Sequence, residues 1–280
     1  MMRGLAFVLV LALTGVPIAG LAQDIIPERR LVYVENADLP GGDFANQRGS
    51  SIQGCELACL SNSQCTAMTF NTRANACFLK SDPGAPAFYQ GAYSARVVVA
   101  DPAALARAAA RAPDLAFLEQ SDLERALEQA KALGGLHITG DFTPADHLAS
   151  ASAAERRRDF EGAAAFVGAA VNVTDAGGDW AEYARLLLLA ATLNTTDRQV
   201  LLDRSALAAV NAYLRTDAPA ARHNILSTMA SALEYYGRGR ETVRALQLAQ
   251  ALQARDDTAR LLDAAFGKYG FRITENEVQS

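Results

Sequence analysis

The sequence predicts a small disulfide-stapled α+β module followed by an all-α array of helical hairpins. All four cysteines of the 280-residue chain lie within Cys55–Cys77, spaced C-x3-C-x5-C-x11-C. Alanine becomes very frequent after residue 100, and apolar residues then recur at helical spacing with short Gly, Asp or Pro interruptions. We therefore expect the module to occupy residues 23–100 and the helical region residues 101–270.

Residues 1–22 have the pattern of a secretory signal peptide. Arg3 precedes the apolar run Leu5–Leu13, and small residues lead to an expected cleavage between Ala22 and Gln23. The apolar run is too short for a permanent transmembrane helix, although a retained N-terminal anchor is the alternative interpretation. The pattern predicts a periplasmic or secreted protein that has no membrane-spanning segment after signal removal.

The cysteine cluster predicts disulfides more strongly than a metal site. An exported small module commonly needs disulfides for stability, whereas a C-x2-C knuckle and a nearby histidine are both missing here. Residues 51–62 are expected to form a helix with Ser51 as its N-cap and with Ile52, Leu57 and Leu60 as its apolar positions. Cys55 and Cys59 would then lie one turn apart, with Cβ atoms about 5–6 Å from each other. A disulfide needs about 3.5–4.5 Å, so these two should not bond each other, and two pairings remain open.

The residues around the cysteines predict strands that complete the module. We expect strands at Arg30–Glu35, Cys65–Phe70 and Cys77–Leu79, with a turn at Leu39–Gly42. The helix cysteines would then staple the helix to a small sheet.

These segments together resemble a PAN/Apple module spanning Arg30–Val99. The resemblance implies disulfides Cys55–Cys77 and Cys59–Cys65, and a non-catalytic module that binds a protein or a carbohydrate. Many members of that family have a third bridge between the ends of the module, for which this sequence has no cysteines. Because loops on rigid scaffolds tend to carry binding, we expect Asn71, Arg73 and Asn75 to contact the ligand. The alternative is that they only close the turn.

The helical region is predicted as a series of antiparallel hairpins resembling tetratricopeptide-like solenoids. The period is loose, about 35–40 residues per helix pair. The expected helices are Ala103–Ala112, one beginning at a capping box Ser121–Glu124, one from Thr143-Pro144 to Arg158, Phe160–Val173, one burying Trp180, Tyr183, Leu187 and Ala191, Asp197–Thr216, Pro219–Tyr236, Arg240–Ala254 and Asp256–Tyr269.

No catalytic constellation emerges, and we expect no enzyme, no cofactor and no metal. His137 and His147 bracket Asp141 and Asp146 without a metal-ligand spacing, and the start of a helix at Thr143 explains the polarity of this stretch. His223 stands alone in a predicted helix. The formal net charge of −5 gives no reason to expect nucleic acid as a partner.

Residues 271–280 show the alternation of a half-buried strand, which reads as the beginning of a missing β-domain. The whole arrangement resembles the N-terminal part of bacterial alpha-2-macroglobulin-like proteins. That resemblance implies that a longer parent protein would act on proteases by trapping them. The chain itself contains no Cys-x-Glu-Gln motif, which forms the thioester in that family.

The expected function is that of an exported non-catalytic binding protein that recognises a protein or carbohydrate ligand through the module. The resemblance adds the role of the N-terminal portion of a bacterial alpha-2-macroglobulin-like protease inhibitor. The alternative is a stand-alone tetratricopeptide-like periplasmic adaptor that binds peptides on its helical face.

Overall fold

A computed structural model describes residues 25–132, 143–194 and 196–269. The predictions for residues 1–22, for His137 and Asp141, and for residues 271–280 lie outside the described residues. The first part of the chain contains five strands and one helix: β1 Arg29–Asp38, β2 Asp43–Arg48, α1 Ile52–Leu60, β3 Ala67–Asn71, β4 Ala76–Lys80 and β5 Ala87–Val99.

The five strands form one antiparallel sheet in the order β1-β5-β3-β4-β2. Side chains alternate between its two faces. One face, which includes Met68, Phe70 and Leu79, packs against α1 in a single core cluster. The opposite face carries Thr69 and Lys80 among others. The sheet therefore has one face covered by a helix and one face with polar side chains.

The two disulfides tie α1 to the sheet. Cys55 is bonded to Cys77 in β4, and Cys59 is bonded to Cys65, two residues before β3 begins. This is the pairing that the PAN/Apple resemblance implies, and all four cysteines are fully buried. Ser51 caps α1 as expected, since its hydroxyl accepts a hydrogen bond from the Gly54 amide at 3.1 Å.

The ends of the module are held together without a third disulfide. Arg29 at the start of β1 pairs with Val99 at the end of β5. The Arg29 guanidinium also donates to three main-chain oxygens of the segment that links α1 to β3, namely those of Leu60 at 2.8 Å, Asn62 at 2.9 Å and Cys65 at 2.5 Å. The hydrogen bonds of Arg29 thus hold the start of β1 against this segment, where no third disulfide is present.

The rest of the described chain is helical. Its helices are α2 Pro102–Arg111, α3 Gln120–Ala132, α4 Pro144–Arg156, α5 Phe160–Thr174, α6 Gly177–Leu193, α7 Arg198–Arg215, α8 Pro219–Tyr235, α9 Gly239–Leu252 and α10 Asp256–Tyr269, with a short 3-10 helix at Ala112–Leu115. From α4 onward each helix packs against the next one along the chain, and α2 and α3 both pack against α7. The predicted helical array is therefore confirmed.

The core of the array is built from small and aromatic residues. Trp180, Tyr183 and Tyr213 are almost completely buried among alanines and leucines. The small alanines allow helix backbones to approach closely, and the aromatic rings fill the wider spaces. Ile26, which precedes β1, belongs to this same cluster, so the chain leaves the helical core just before it enters the sheet.

Two local predictions were wrong in detail. Helix α3 begins at Gln120, so Ser121 lies inside it, and the Asp122 carboxylate instead accepts from the Glu119 amide at 3.2 Å. Leu57, expected to be an apolar contact of α1, is 70% exposed because it lies on the side of the helix away from the sheet.

Candidate functional site

One end of the sheet brings together two chain segments that are distant in sequence. The β3–β4 turn follows Asn71, and β5 bulges beside it. In the pairing of β5 with β1, Glu35 lies opposite Tyr93 and Ala37 lies opposite Phe88. The four residues 89–92 of β5 therefore face a single residue of β1, Asn36. Bulges of this kind redirect side chains and are frequent beside functional sites. We call this feature the β5 bulge.

The turn and the bulge are bonded to each other. Thr72 donates to the Gly91 carbonyl from its amide at 3.0 Å and from its hydroxyl at 2.7 Å. The Asn36 side chain accepts from the Gly91 amide at 3.1 Å. The main chain of this end of the sheet is therefore fixed, and a rigid scaffold carries its exposed side chains.

Two of the three predicted binding residues have structural tasks in the turn. The Asn71 carboxamide oxygen accepts from the amides of Arg73 at 3.0 Å and Ala74 at 3.1 Å, which is an Asx turn. Asn75 adopts a left-handed conformation with φ of 44°, and its carbonyl accepts from the amides of Gly49 and Ser50. Both asparagines close the turn whether or not they meet a ligand.

Arg73 is the predicted residue with the greatest freedom to contact a ligand. Its side chain is exposed, and its only side-chain hydrogen bond that the described residues show joins the guanidinium to the Gln90 carboxamide at 3.4 Å. This long contact between two exposed groups costs little to exchange for a ligand. Arg73 and Gln90 thus present five guanidinium donors and an amide at the surface of the bulge.

Two consecutive residues of β5 at this end of the sheet are exposed and aromatic. Phe88 is 85% exposed and Tyr89 is 45% exposed. The Tyr89 hydroxyl also accepts from the Asn71 amide nitrogen at 3.4 Å. An exposed pair of aromatic rings held on a bonded main chain offers apolar contact area at a low entropic cost, which is typical of binding surfaces.

A groove of about 160 Å³ adjoins Tyr89 on the polar face of the sheet. We call it the sheet-face groove, and it is lined by Asp38, Asp43, Thr69, Asn71, Phe78, Lys80, Tyr89 and Ala92. The Lys80 ammonium is buried and lies 2.5 Å from an Asp43 carboxylate oxygen and 3.8 Å from an Asp38 oxygen.

Thr69 closes the floor of the groove through a buried hydroxyl network. Its hydroxyl lies 2.6 Å from that of Ser94, which donates to the Ala37 carbonyl at 2.8 Å. The carboxylates of Asp38 and Asp43 remain partly exposed, at 37% and 49%. The groove therefore combines an aromatic wall with accessible acceptors and an amide, the composition of a site for a polar ligand with many hydroxyls.

The histidine stretch in the helical region has a structural explanation. Thr143 and Asp146 form a capping box at the start of α4, with the Thr143 amide donating to the Asp146 carboxylate at 2.8 Å. The Thr143 hydroxyl donates to the same carboxylate at 2.6 Å, and this hydrogen bond, followed by that of the amide, lowers the pKa of Asp146 below its usual value. Across the described ranges, no group of three or more acidic, histidine or cysteine side chains is placed to hold a metal ion. His223 is buried, and its two ring nitrogens lie 2.9 Å from the Ala249 carbonyl and 3.0 Å from the Thr258 hydroxyl.

One side of the helical array is covered by the chain itself. The Tyr213 hydroxyl of α7 donates to Asp114 at 2.6 Å, and Arg238 at the start of α9 bonds Asp122 of α3 at 2.7 Å. Asn211 of α7 donates to the Ala126 carbonyl at 2.8 Å. The segment from α2 to α3 thus covers this side of α7, so a peptide could not bind to the same side.

The disulfide pairs, the sheet and its helix agree with one known family. Residues 30–100 match the family model of the PAN domain. The match covers about a quarter of the chain and coincides with the sheet and α1. PAN domains are protein- and carbohydrate-binding modules, so this PAN module supports a binding role. No curated protein and no solved structure matches the chain.

These comparisons separate the broad predictions from the narrow ones. The PAN module followed by a helical array is confirmed, and its disulfides indicate an extracellular or otherwise exported protein. The resemblance to alpha-2-macroglobulin-like proteins finds no support in them. Within the described ranges, none of the helices combines the length and the apolar run that crossing a membrane requires.

Sequence reasoning missed Phe88, Tyr89, Gln90 and the Lys80–Asp43 pair. The bulge depends on the pairing of β5 with two strands at different registers, which no local pattern encodes. A usable signal was nevertheless present, since the aromatic pair Phe88-Tyr89 stands between Pro86 and Gly91. Aromatic residues next to Pro and Gly punctuation in a small module are candidates for exposed rings.

Proposed function

We propose that this chain is an exported, non-catalytic recognition protein whose PAN module binds a carbohydrate at the β5 bulge and the sheet-face groove. The observation that carries the proposal is the position of Tyr89. Its ring is exposed, it forms one wall of the groove, and its hydroxyl contacts Asn71. A pyranose ring would pack its apolar face on the aromatic wall while its hydroxyls donate to Asp38 and Asp43.

Arg73 and Gln90 extend this surface beyond the groove. Their mutual contact at 3.4 Å is weak enough to be replaced by hydrogen bonds to further sugar hydroxyls. Phe88, two residues before Gln90 in the sequence, supplies a second exposed aromatic face. We therefore expect the module to recognise more than one sugar unit, with the first in the groove and the next against Phe88.

A glycan array probed with the mature protein tests the proposal. The array would be repeated with Tyr89→Ala and with the control Tyr235→Ala, which removes a ring of similar exposure, 51%, from α8. We expect a small set of bound glycans whose signal falls at least tenfold in Tyr89→Ala and is unchanged in Tyr235→Ala. Arg73→Ala should weaken the same signals by a smaller factor. An array without any Tyr89-dependent signal contradicts carbohydrate recognition here and leaves a protein ligand as the role of the module.

The peptide-binding adaptor is the second candidate, and the helical array is what supports it. If the adaptor role is correct, the protein should bind extended peptides, and the Tyr89→Ala variant should bind them with the same affinity as the wild type. Protease trapping by a longer parent protein predicts instead that the reading frame continues after the codon for Ser280 into β-rich sequence with a Cys-x-Glu-Gln motif.

A further inference from the structure

At the junction between the PAN module and the helical array lies a cleft of about 290 Å³. We call it the junction cleft. The end of β5 with Val98 and Val99 forms one side, α2 forms another, and the connection from α5 to α6 forms its base. This volume is at the lower end of the range for small-molecule sites, roughly 300–1,000 Å³.

Four arginines line the junction cleft together with only two acidic residues. The arginines are Arg30, Arg107, Arg111 and Arg215, and the acidic residues are Asp101 and Asp175. Asp101 is already used as the N-cap of α2, where it accepts from the Ala103 amide at 3.0 Å. At the border of the cleft, Asp217 is bonded to Arg111 and lies 3.8 Å from Arg107, and Asp179 accepts from the Thr174 hydroxyl.

The two inner arginines share a single carboxylate. Asp175 lies 2.8 Å from the Arg215 Nε and 3.9 Å from the Arg30 Nε, and it also accepts from the Trp180 indole at 2.8 Å. The two terminal nitrogens of Arg30 donate to the carbonyls of Asn172 and Val173 at the end of α5. Burial lowers the pKa of both arginines, and the positive charge of Arg215 lowers that of Arg30 further, against the opposing effect of Asp175.

Arg215 has a donor for which the described residues offer no hydrogen-bond acceptor, while its guanidinium lies over the Trp180 ring, 5.3 Å from the centroid. Its side chain is only 5% exposed and lines the cleft, and its Nη1 bonds the Asn211 carbonyl and carboxamide oxygens, but its Nη2 has no hydrogen-bond acceptor among the described residues. The Thr216 hydroxyl beside it is buried and likewise without a partner there. A buried guanidinium nitrogen that makes no hydrogen bond costs free energy, and an anion in the cleft would remove that cost.

The first turn of α6 points to the same place. Its N-cap is Ala176, which supplies no side-chain cap, and Gly177 and Gly178 follow it. Gly177 packs closely on its neighbours, since a Cβ there would lie 2.4 Å from the Thr216 hydroxyl oxygen. The uncapped amides of this 17-residue helix thus lie beside the Thr216 hydroxyl and the Arg215 main chain, and Gly177 and Arg215 line the same cleft. Uncapped amides at a helix N-terminus favour negative charge.

We propose that the junction cleft is an oxyanion-binding site, in which Arg215 and the first amides of α6 hold the anionic group and Arg107 closes it at the mouth. The ligand class is a small molecule or a sugar unit that carries a sulfate or a similar tetrahedral oxyanion. Because the PAN module and the array both contribute residues, a bound oxyanion would also fasten the two parts to each other. The site is separate from the β5 bulge, which lies at the other end of β5.

Titration with sodium sulfate at constant ionic strength, set with sodium chloride, tests this proposal. The readout is the amide resonances of Gly177 and Gly178 in a TROSY spectrum of the nitrogen-labelled protein. We expect saturable shifts of these two resonances in the wild type. Arg107→Gln should raise the midpoint at least threefold, because it removes a cation at the mouth that supports no core contact. The matched control is Arg125→Gln, since Arg107 and Arg125 are 48% and 47% exposed and both pair with aspartates, Arg107 with Asp217 and Arg125 with Asp203 and Asp122. Its midpoint should stay within twofold of the wild type.

Two further arms identify the source of the anion and separate this proposal from the function proposed above. A tighter midpoint for glucose 6-sulfate than for sulfate assigns a sugar-borne oxyanion, and equal midpoints assign the free ion. Tyr89→Ala should leave both midpoints unchanged, whatever it does to glycan binding at the bulge. Shifts that stay linear up to high sulfate, or equal midpoints in Arg107→Gln and the wild type, would overturn the proposal.

Discussion

Removing the two disulfides separately should destabilise the PAN module to different extents. The bonds close segments of very different length, with sequence separations of 22 for Cys55–Cys77 and 6 for Cys59–Cys65. In the chain-entropy description the stabilisation grows with the logarithm of the closed length. It gives about 3.4 kcal/mol for the long loop and about 2.2 kcal/mol for the short one.

Double alanine variants make the comparison fair. All four sulfur-bearing side chains are fully buried, so the packing lost on replacement by alanine is similar for both pairs and largely cancels in the difference. Alanine also avoids the unpaired buried hydroxyls that serine would introduce. The expected difference of about 1.2 kcal/mol between C55A/C77A and C59A/C65A then reports loop length alone.

Hydrogen exchange with mass spectrometry measures the loss within the module. Amides of β3 and β4 that exchange through unfolding of the module should lose protection about 300-fold in C55A/C77A and about 40-fold in C59A/C65A. Trp180, the single tryptophan, lies in α6, so its fluorescence follows the helical array during urea unfolding. We expect that midpoint to change little. Equal losses, or a larger loss for the short loop, would refute the loop-entropy reasoning.

Three further predictions concern the backbone, the pH dependence and the junction. Gly41 and Gly42 both have positive φ, +83° and +67°, but only at Gly42 would a Cβ clash, 2.5 Å from the Asp82 carbonyl oxygen. Gly41→Ala should therefore cost about 1 kcal/mol and Gly42→Ala at least about 2 kcal/mol more in urea unfolding; similar costs would deny the clash. Burial, the largest cause, raises the pKa of Tyr183 and Tyr213 in the helical array above the usual value of about 10. Their contribution to stability is therefore complete below that pH and falls as the pH rises above it. Phenolate absorbance should appear together with loss of helical circular dichroism, and titration of these tyrosines without unfolding would contradict this. Arg30→Met should destabilise the chain by about 2 kcal/mol, because the carbonyls of Asn172 and Val173 lose their donor, while exposed Arg48→Met should not; equal stability of the two variants would remove Arg30 from the junction.

Local chemistry explains which parts of the fold were predictable. Ser51, Asp101 and Thr143 each cap a helix through their own side chains, and Asp256–Tyr269 is bounded as expected. The disulfide-bearing helix and β4 likewise follow from spacing and strand-forming residues. The predicted capping box Ser121–Glu124 was wrong because a neighbouring residue caps the helix instead. The Asp122 carboxylate accepts from the Glu119 amide and also contacts Arg238 at the start of α9.

The candidate site was predictable only in outline. Placing ligand contacts in the β3–β4 turn selected Asn71, Arg73 and Asn75, yet the side chains of the turn gain their setting from the β5 bulge. The bulge results from non-local strand register, and the sheet-face groove results from Asp38 and Asp43 meeting Lys80 across the sheet. Neither feature has a local sequence signature. The same holds for the junction cleft, whose arginines come from β1, α2 and α7.

The most direct test of the account is a hydrogen-exchange footprint of the wild-type protein with the glycan that gives the strongest array signal. Recognition by the PAN module predicts slower exchange in peptides covering residues 36–43, 71–80 and 87–92, and no change in α4 to α10. Protection confined to the helical array would contradict the account and favour the adaptor.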